Sequence, residues 1–295
     1  MRDRTRPALP RAALLAGALL LVSCAAGGPA PGPSPAPAAD RSPGRSPAPA
    51  AGAPAAHRAV ERLRVKVLET LAHNPAAFTE GLELAGRTLY EGTGISGGSW
   101  VQAGPPGRKP TVRATLPEPL FGEGLTVLGR TLWQLTWRDR IAVERDATTL
   151  KELRRVRYPD EGWGICFQKD RHRLVTSDGS ARLTFRDPRT LAATGRVTVT
   201  ENGAPLTRLN ELECVGAAVY ANVFSTDRIV RIDPATGAVT ADIDASGLVR
   251  ADGLAPGAVL NGIAAVPGTD QFLITGKYWS RMFRVTFAPV GGAGR

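Results

Sequence analysis

The chain has 295 residues and a formal net charge of +10. Half of that excess comes from residues 1–58, which carry seven Arg and two Asp, and the basic residues of the remainder are scattered among acids. This distribution argues against a nucleic-acid-binding surface. Residues 59–295 are numerous enough to enclose a sizeable hydrophobic core.

The amino terminus has the pattern of a bacterial export signal. Four arginines in the first eleven residues precede the apolar run Ala12–Val22. This run is too short to span a bilayer as a helix but is typical of a secretory h-region. It leads into the sequence LVSC, in which Cys24 resembles the lipidated cysteine of a lipobox. We predict a signal peptide over residues 1–24 with lipidation of Cys24; the alternative is an ordinary signal peptide that happens to contain a cysteine.

Residues 25–58 consist almost entirely of Ala, Pro, Gly and Ser. This composition lacks the large apolar side chains that a packed core needs, so the segment is predicted to be a disordered tether. With a lipid anchor, it would hold the folded domain, residues 59–295, away from the membrane surface. The expected location is extracytoplasmic, at the cell surface or in the periplasm.

From about residue 64 the chain repeats one unit of short strands. The two clearest copies read AFTEGLELAGRTLYEGTG, Ala77–Gly94, and LFGEGLTVLGRTLWQLTW, Leu120–Trp137. Apolar runs rich in β-branched residues and broken by Gly and Asp indicate strands. A period near 40–50 residues is typical of β-propeller blades. Markers of the second strand recur at intervals of 43, 42, 45 and 53 residues, at Leu89, Leu132, Leu174, Val219 and Phe272.

A second marker follows the same period in the outer part of the units. Asp146, Asp187 and Asp233, 41 and 46 residues apart, each lie in a turn sequence. These turns predict a hairpin of the two outer strands in each unit. The long last interval between the second-strand markers is explained by an insertion at about Ser246–Val259.

The last unit lacks an outer strand of its own. It ends with Met282–Phe287, whereas Leu63–Leu71 precedes the first unit and has no partner. We predict that this N-terminal strand supplies the missing outer strand and closes the ring, which leaves no unpaired sheet edge there. The predicted fold is an all-β, five-bladed β-propeller. An open arc of five sheets and a β-sandwich are alternatives that fit the regular period less well.

The residues that enter the first strand of each unit vary chemically, whereas the strand pattern around them is constant. In a propeller these positions converge on one end of the central channel, so a site is expected there. The far ends of the second strands should face the same funnel. The entry residues include Glu80, Glu123, Trp163, Asn210 and Asn261. The second-strand ends are Glu91, Trp137, Asp178, Phe224 and Lys277 with Tyr278 and Trp279.

Two cysteines, Cys166 and Cys214, lie in successive units. The sequence favours two buried free thiols, although a disulfide between them is geometrically conceivable. Neither cysteine belongs to a Cys-x-x-Cys pair, and the chain has three histidines. A zinc site of Cys and His is therefore not expected.

Twelve short motifs resemble, in the same order, those of the plant and bacterial glutaminyl-peptide cyclotransferases, or glutamine cyclotransferases. They lie between about His73 and Val285 and read FTEGL, YEGTG, FGEGLT, QLTW, EGWG, SDGS, LNELE, YANV, TDRI, RIDPATG, LNGIA and TGKYW. The family's fold is a five-bladed β-propeller, in agreement with the repeats. The resemblance implies cyclisation of an amino-terminal Gln to pyroglutamate with loss of ammonia. It implies peptide or protein substrates, and no cofactor or metal.

The resemblance also implies roles for four polar side chains. Glu123 matches the family's general acid/base, and burial would have to raise its pKa for it to give up a proton near neutral pH. Glu80 matches a position suited to binding the substrate α-ammonium. Asn210 and Lys277 match positions that contact the substrate amide and could stabilise an oxyanion.

Phe78, Trp137 and Trp163 match the family's aromatic wall around the substrate side chain. Two positions depart from the family motifs. The motif FTQG is FTEG here, so Glu80 adds a second carboxylate that should titrate together with the general acid/base. The Trp of YANVW is Phe224, which keeps an apolar wall but removes an indole N–H donor.

Two other functions are compatible with a propeller. A calcium-dependent lactonase would use Glu, Asn and Asp as ligands, but such rings normally have six blades and no sixth unit is visible in the sequence. A non-catalytic surface propeller could bind peptide or glycan. The cyclotransferase hypothesis is preferred because it accounts for the motifs, and the enzyme is expected to be a monomer.

Overall fold

The structure, a computed structural model, describes residues 59–248 and 257–291. The predicted signal peptide with Cys24, the predicted tether and much of the predicted insertion lie outside these residues. Strands account for most of the described residues, so the all-β prediction is confirmed. Within the same residues, no helix is long and apolar enough to cross a membrane.

Three four-stranded sheets follow an N-terminal strand, β1 (Glu61–Ala72). In each sheet consecutive strands pair in order, because the turns between them are short. The first sheet contains β2 (Thr79–Ala85), β3 (Thr88–Thr93), β4 (Trp100–Gly104) and β5 (Val112–Thr115). The second contains β6 (Gly122–Leu128), β7 (Thr131–Thr136), β8 (Ile141–Asp146) and β9 (Glu152–Arg157). The third contains β10 (Ile165–Gln168), β11 (Arg173–Thr176), β12 (Arg182–Arg186) and β13 (Ala193–Thr198), with a 3₁₀ turn, Lys169–Arg171, after β10.

The rest of the chain forms a small hairpin and one eight-stranded sheet. The hairpin strands are β14 (Thr200–Glu201) and β15 (Ala204–Pro205). The larger sheet has the order β16-β17-β18-β19-β1-β22-β21-β20. Its further strands are β16 (Leu209–Val215), β17 (Ala218–Val223), β18 (Arg228–Ile232), β19 (Val239–Asp244), β20 (Val259–Ala265), β21 (Phe272–Lys277) and β22 (Arg281–Pro289).

The N-terminal strand has the predicted role and one that was not predicted. β1 pairs antiparallel with β22 from Leu63 opposite Pro289 to Ala72 opposite Arg281, which confirms that it supplies the outer strand of the last unit. Its first residues also pair in parallel with β19. This second pairing joins two four-stranded groups into one sheet, so the number of five blades stays a prediction from the sequence.

The first strands of the successive groups contact one another in a cyclic order. β2 contacts β6, β6 contacts β10, β10 contacts β16, β16 contacts β20, and β20 contacts β2 again. The predicted second-strand markers lie in β3, β7, β11, β17 and β21 and are buried between the sheets. The propeller arrangement inferred from the repeats is therefore confirmed, with the first strands around a central channel.

The outer hairpins form where the aspartates predicted them. Asp146 Oδ1 accepts hydrogen bonds from the backbone N–H groups of Thr148 and Thr149, at 3.1 and 2.8 Å, in the turn between β8 and β9. Asp187 and Asp233 lie in the equivalent turns and accept backbone hydrogen bonds in the same way. The short polar side chain thus supplies the acceptor that each turn needs.

The prediction of two free thiols is wrong, because Cys166 and Cys214 form a disulfide with their Cα atoms 5.4 Å apart. They lie on β10 and β16, which are neighbours around the channel. Their side chains therefore meet between the two sheets, a proximity that their 48-residue separation in the sequence conceals.

Candidate active site

A pocket of about 210 Å³ opens at the end of the channel where the first strands begin. It contains all eight side chains that were predicted to form the site. Phe121, from the motif FGEG, also lines it and was not predicted as a site residue. The lining residues are Phe78, Glu80, Phe121, Glu123, Trp137, Trp163, Asn210, Phe224 and Lys277.

Irregular pairing at the start of the first strands aims the polar side chains into the pocket. In β2, β6, β16 and β20 the register shifts within the first few residues. The residues at these bulges are Glu80 alone in β2, and Glu123, Asn210 and Asn261, each with the next residue, in β6, β16 and β20. A bulged residue leaves the regular ladder and its side chain can take a new direction. Four of the five variable entry positions of the repeat are therefore bulge positions, and the fifth, Trp163, lies just before β10.

The glycines that follow the two acids permit close packing of neighbouring first strands. A Cβ atom at Gly81 would lie 2.5 Å from the backbone nitrogen of Leu125. A Cβ atom at Gly124 would lie 2.6 Å from the carbonyl oxygen of Trp163. Real side chains do not tolerate such distances, so the Glu-Gly pairs of the motifs place an acid where two strands approach most closely.

A buried ion pair occupies the polar side of the pocket. Lys277 Nζ contacts Glu80 Oε1, and both side chains are almost fully buried. Asn261 Nδ2 donates to Glu80 Oε2 at 3.2 Å and to the carbonyl oxygen of Thr79 at 2.9 Å. Asn261 was noted at a repeat entry but was not predicted as a site residue. In the sequence, its position in the repeat, equivalent to those of Glu80, Glu123 and Asn210, would have identified it as a site residue.

Burial raises the pKa of both carboxyl groups in the pocket. It raises the pKa of Glu80 to about 7, although the nearby Lys277 ammonium acts in the opposite direction. Burial, followed by the charge of Glu80, raises the pKa of Glu123 well above its usual value. The two groups are hydrogen-bonded and titrate together, so at neutral pH they retain a proton between them. The coupling predicted from FTEG is thus present in the geometry.

Aromatic rings form the other walls. The Lys277 ammonium lies over the Phe78 ring, 4.2 Å from its centre. Trp163 and Phe224 meet edge to face with their centres 5.6 Å apart. Phe121 contacts Trp137 with 5.5 Å between the ring centres, and thereby continues the wall. The result is a narrow apolar slot with charged groups at one side.

Two buried polar atoms of the pocket residues have no hydrogen-bond partner among the described residues. One is an acceptor, Asn210 Oδ1, and the other is a donor, Trp163 Nε1. Unpartnered buried polar atoms are costly, so a ligand in the pocket that paired with both atoms would be stabilised there. In residues 59–248 and 257–291, no three His, Cys, Asp or Glu side chains are grouped as a metal ion would require.

Three residues expected to face the funnel lie elsewhere. Glu91, on β3, is buried and accepts hydrogen bonds from the side chains of Thr79 and Gln102. Asp178 accepts from Ser180 and forms an ion pair with Arg182. Trp279 is packed in the hydrophobic core. The ends of the second strands therefore turn to different sides of the sheet, and position along the strand does not by itself determine the direction of the side chain.

Comparison with known proteins identifies the family of this chain. The family model for glutamine cyclotransferase matches residues 45–287. The glutaminyl-peptide cyclotransferase of Arabidopsis thaliana is 35% identical over 235 residues, which cover 75% of this chain and 70% of that protein. The crystal structure of Myxococcus xanthus glutaminyl cyclase matches with a TM-score of 0.74 and 36% identity, over 78% of this chain and 99% of that one. The resemblance found in the motifs is confirmed, and the chain belongs to the glutamine cyclotransferase family.

Proposed function

We propose that this protein converts the amino-terminal Gln of peptides and proteins to pyroglutamate and releases ammonia. Family membership supports the activity, and the unpartnered atoms of the pocket support the substrate. Asn210 Oδ1 is an acceptor and Trp163 Nε1 is a donor. A primary carboxamide offers N–H donors and a carbonyl acceptor, so the side chain of Gln would satisfy both atoms.

The shape of the pocket supports the same substrate. A volume of about 210 Å³ between aromatic walls suits one short side chain. With the carboxamide at Asn210 and Trp163, the α-amine of the same residue would lie toward the carboxylates. Glu80 is the proposed acceptor for this amine, because Lys277 and Asn261 already stabilise its ionised form.

In the proposed reaction the free α-amine attacks the side-chain carbonyl carbon of its own residue. A C–N bond forms, the carbonyl electron pair moves to oxygen, and a tetrahedral oxyanion results. Its collapse breaks the bond to the carboxamide nitrogen, which leaves as ammonia. Because both reacting groups belong to one residue, holding them in the ring-closing conformation supplies much of the acceleration.

The two carboxyl groups divide the proton transfers. Glu80, with a pKa of about 7, is partly ionised at neutral pH and accepts a proton from the attacking nitrogen. Glu123, whose pKa burial raises well above the usual value, carries a proton and gives it to the leaving nitrogen. The proton then returns to Glu123 through the hydrogen bond between the two side chains, so the cycle consumes no net proton.

The oxyanion is stabilised by groups that are fixed before the substrate binds. The Lys277 ammonium and Trp163 Nε1 are the proposed donors. Lys277 is held by its ion pair and by the Phe78 ring. Preorganised donors in a site that excludes water act more strongly than the same groups in solution. Asn210 orients the carboxamide through its oxygen.

We also propose that the protein is a lipid-anchored extracytoplasmic monomer. The support is the sequence that ends in Cys24 and the Pro- and Ala-rich segment after it. Replacing Cys24 with Ser should move the protein from the membrane fraction of cells to the soluble fraction. Retention of the Cys24→Ser variant in the membrane fraction would contradict the anchor.

Ammonia release from a short Gln-initiated peptide tests the proposed activity. The purified protein should release one ammonia for each peptide and leave a product with a blocked amino terminus, with or without a chelator. The same peptide with an acetylated α-amine is the matched control and should release none, because it lacks the nucleophile. Absence of ammonia from every Gln-initiated peptide would falsify the proposal.

A further inference from the structure

A hydrogen-bonded pair of buried side chains, His73 and Glu91, lies outside the pocket. His73 Nε2 is 2.8 Å from Glu91 Oε1, and both side chains are almost fully buried. His73 Nδ1 is 2.7 Å from the carbonyl oxygen of Trp279. The proposed reaction uses neither side chain, and the pair contacts both segments that carry the catalytic ion pair.

The geometry requires a shared proton in this pair. A carbonyl oxygen only accepts, so the contact with Trp279 places a hydrogen on Nδ1 of His73. The contact between Nε2 and the carboxyl group of Glu91 then needs a second proton, on one atom or the other. Glu91 also accepts from Thr79 Oγ1 at 2.8 Å and from Gln102 Nε2 at 2.9 Å. Its carboxyl group is therefore held on several sides.

One arm of the pair leads to Glu80. Glu91 holds the hydroxyl group of Thr79, the residue that directly precedes Glu80 in β2. The carbonyl oxygen of Thr79 accepts from Asn261 Nδ2 at 2.9 Å, and the same nitrogen donates to Glu80 Oε2 at 3.2 Å. The imidazole is thus connected to the Glu80 carboxylate by hydrogen bonds on both sides of Thr79, through its hydroxyl group and its backbone carbonyl.

The other arm leads to Lys277. His73 holds the turn after β21 by two bonds, from Nδ1 to the carbonyl oxygen of Trp279 and from its backbone N–H to the carbonyl oxygen of Ser280 at 2.9 Å. The turn contains Tyr278, which has a φ of 61°. A non-glycine residue in this left-handed region persists where its surroundings hold it. The turn fixes the end of β21, where Lys277 is the last residue.

We propose that His73 and Glu91 are positioning residues that hold Glu80 and Lys277 in contact. The inference rests on the proposed function, because it assigns importance to that ion pair. Loss of this His73–Glu91 brace should separate the charges of Glu80 and Lys277 while leaving the aromatic slot in place.

Replacing His73 with Ala in the full protein tests the brace. We expect a decrease in kcat of about 10- to 100-fold with a smaller change in KM, because a displacement near 1 Å has such effects on catalysis. His172→Asn is a suitable control, since His172 is exposed in the turn before β11. The His172→Asn variant should retain the wild-type kcat. It is compared with His73→Asn, which makes the same substitution in the proposed brace.

The pH profile supplies a readout that a purely structural role would not change. The charged groups that face Glu80 are Lys277 and Glu123 in the pocket and Glu211 farther along the channel. Lys277 lowers the pKa of Glu80. If the variant at His73 weakens that contact, the pKa of Glu80 rises. The acid limb of kcat/KM should then move to higher pH relative to the wild type, measured with one peptide so that its own α-amine contributes equally.

If the Ala variant does not fold, two other variants test the hydrogen bonds to Trp279 and to Glu91 separately. His73→Asn keeps a donor near the Nδ1 position for Trp279 but does not reach Glu91, whereas His73→Gln reaches Glu91 but loses Trp279. Each should lose less activity than the Ala variant. The inference is overturned if folded variants retain the wild-type kcat, or if the acid limb stays in place. Failure of the wild type to release ammonia would instead refute the proposed function.

Discussion

Buried carboxyl groups occur at two levels of the channel, and they have different partners. At the pocket, Glu80 and Glu123 face each other and the Lys277 ammonium. Farther along the first strands, Glu211 accepts from the backbone N–H of Leu82 at 3.3 Å and from that of Ile263 at 2.9 Å. Glu83, on β2, accepts from a backbone N–H of β6 in the same way. Glu83 and Glu211, the lower acids, therefore bond to the backbone of neighbouring strands. Glu80 and Glu123, the upper acids, face an open slot.

Burial raises the pKa of acids at both levels. It raises the pKa of Glu83 to about 7 and that of Glu211 well above its usual value, much as it does for Glu80. A perturbed pKa therefore does not by itself distinguish a catalytic acid from a structural one in this channel. The first strands are sheet edges with unpaired N–H groups, which need acceptors. From this difference in partners we predict that the upper acids take part in the reaction and that the lower acids stabilise the fold.

The largest effect is expected at Glu123. Glu123→Gln keeps the shape of the side chain but removes the transferable proton, so kcat should fall by about 10²- to 10⁴-fold. The melting temperature should remain close to that of the wild type, because a buried amide replaces a carboxyl group that is largely protonated. Ammonia release and a thermal melt measure the two quantities. Unchanged turnover in a folded variant would remove Glu123 from the reaction.

The next largest effect is a loss of stability, expected on removal of the disulfide between β10 and β16. A variant with Cys166→Ser and Cys214→Ser loses a cross-link that closes a loop of 48 residues. By loop entropy, the free energy of unfolding should decrease by about 4 kcal/mol. Denaturant unfolding measures this decrease, and kcat at a temperature where the variant is folded should be unchanged. A loss of kcat without a loss of stability would show that β10 and β16 also shape the pocket.

A smaller loss of stability is expected at Glu211. In the wild type, the carboxyl oxygens of Glu211 accept from the backbone N–H groups of Leu82 and Ile263. In Glu211→Gln an amide NH₂ group would face one of these two N–H groups. One buried donor is left without an acceptor, which costs about 1–3 kcal/mol. The activity of the folded variant should stay near the wild-type value. If this variant loses turnover as severely as the variant at Glu123, the two levels are not separate in function.

The repeats in the sequence were sufficient for much of this picture. The period placed the second-strand markers correctly, and the motifs named the eight predicted side chains that line one pocket. Both successes depend on the same property, since equivalent positions of a repeat lie at equivalent points around a ring. Unequal side chains at equal positions, such as Glu123 and Asn210, then mark a site.

What the sequence did not reveal depends on contacts between distant segments. The disulfide of Cys166 with Cys214 requires the distance between two sheets, and the pairing of β1 with β19 requires the relative position of the last and fourth units. The contact of Asn261 with Glu80 joins residues 181 positions apart. Glu91 was expected at the funnel because only its distance along the strand was known, and the register decides which side it faces.

The last and sharpest test of the upper level is the pH profile of the activity that remains in Glu80→Gln. The charge of Glu80 raises the pKa of Glu123, so Glu80→Gln should lower that pKa. Because Glu123 must carry a proton to protonate the leaving nitrogen, the alkaline limb of kcat/KM should move to lower pH. The limb near pH 7 that follows ionisation of Glu80 should be lost. Glu83→Gln, which removes the other acid with a pKa of about 7, is the control and should move neither limb. If both variants gave the wild-type profile, the protons of the reaction would not be shared between Glu80 and Glu123, and the upper acids would differ from the lower ones in position alone.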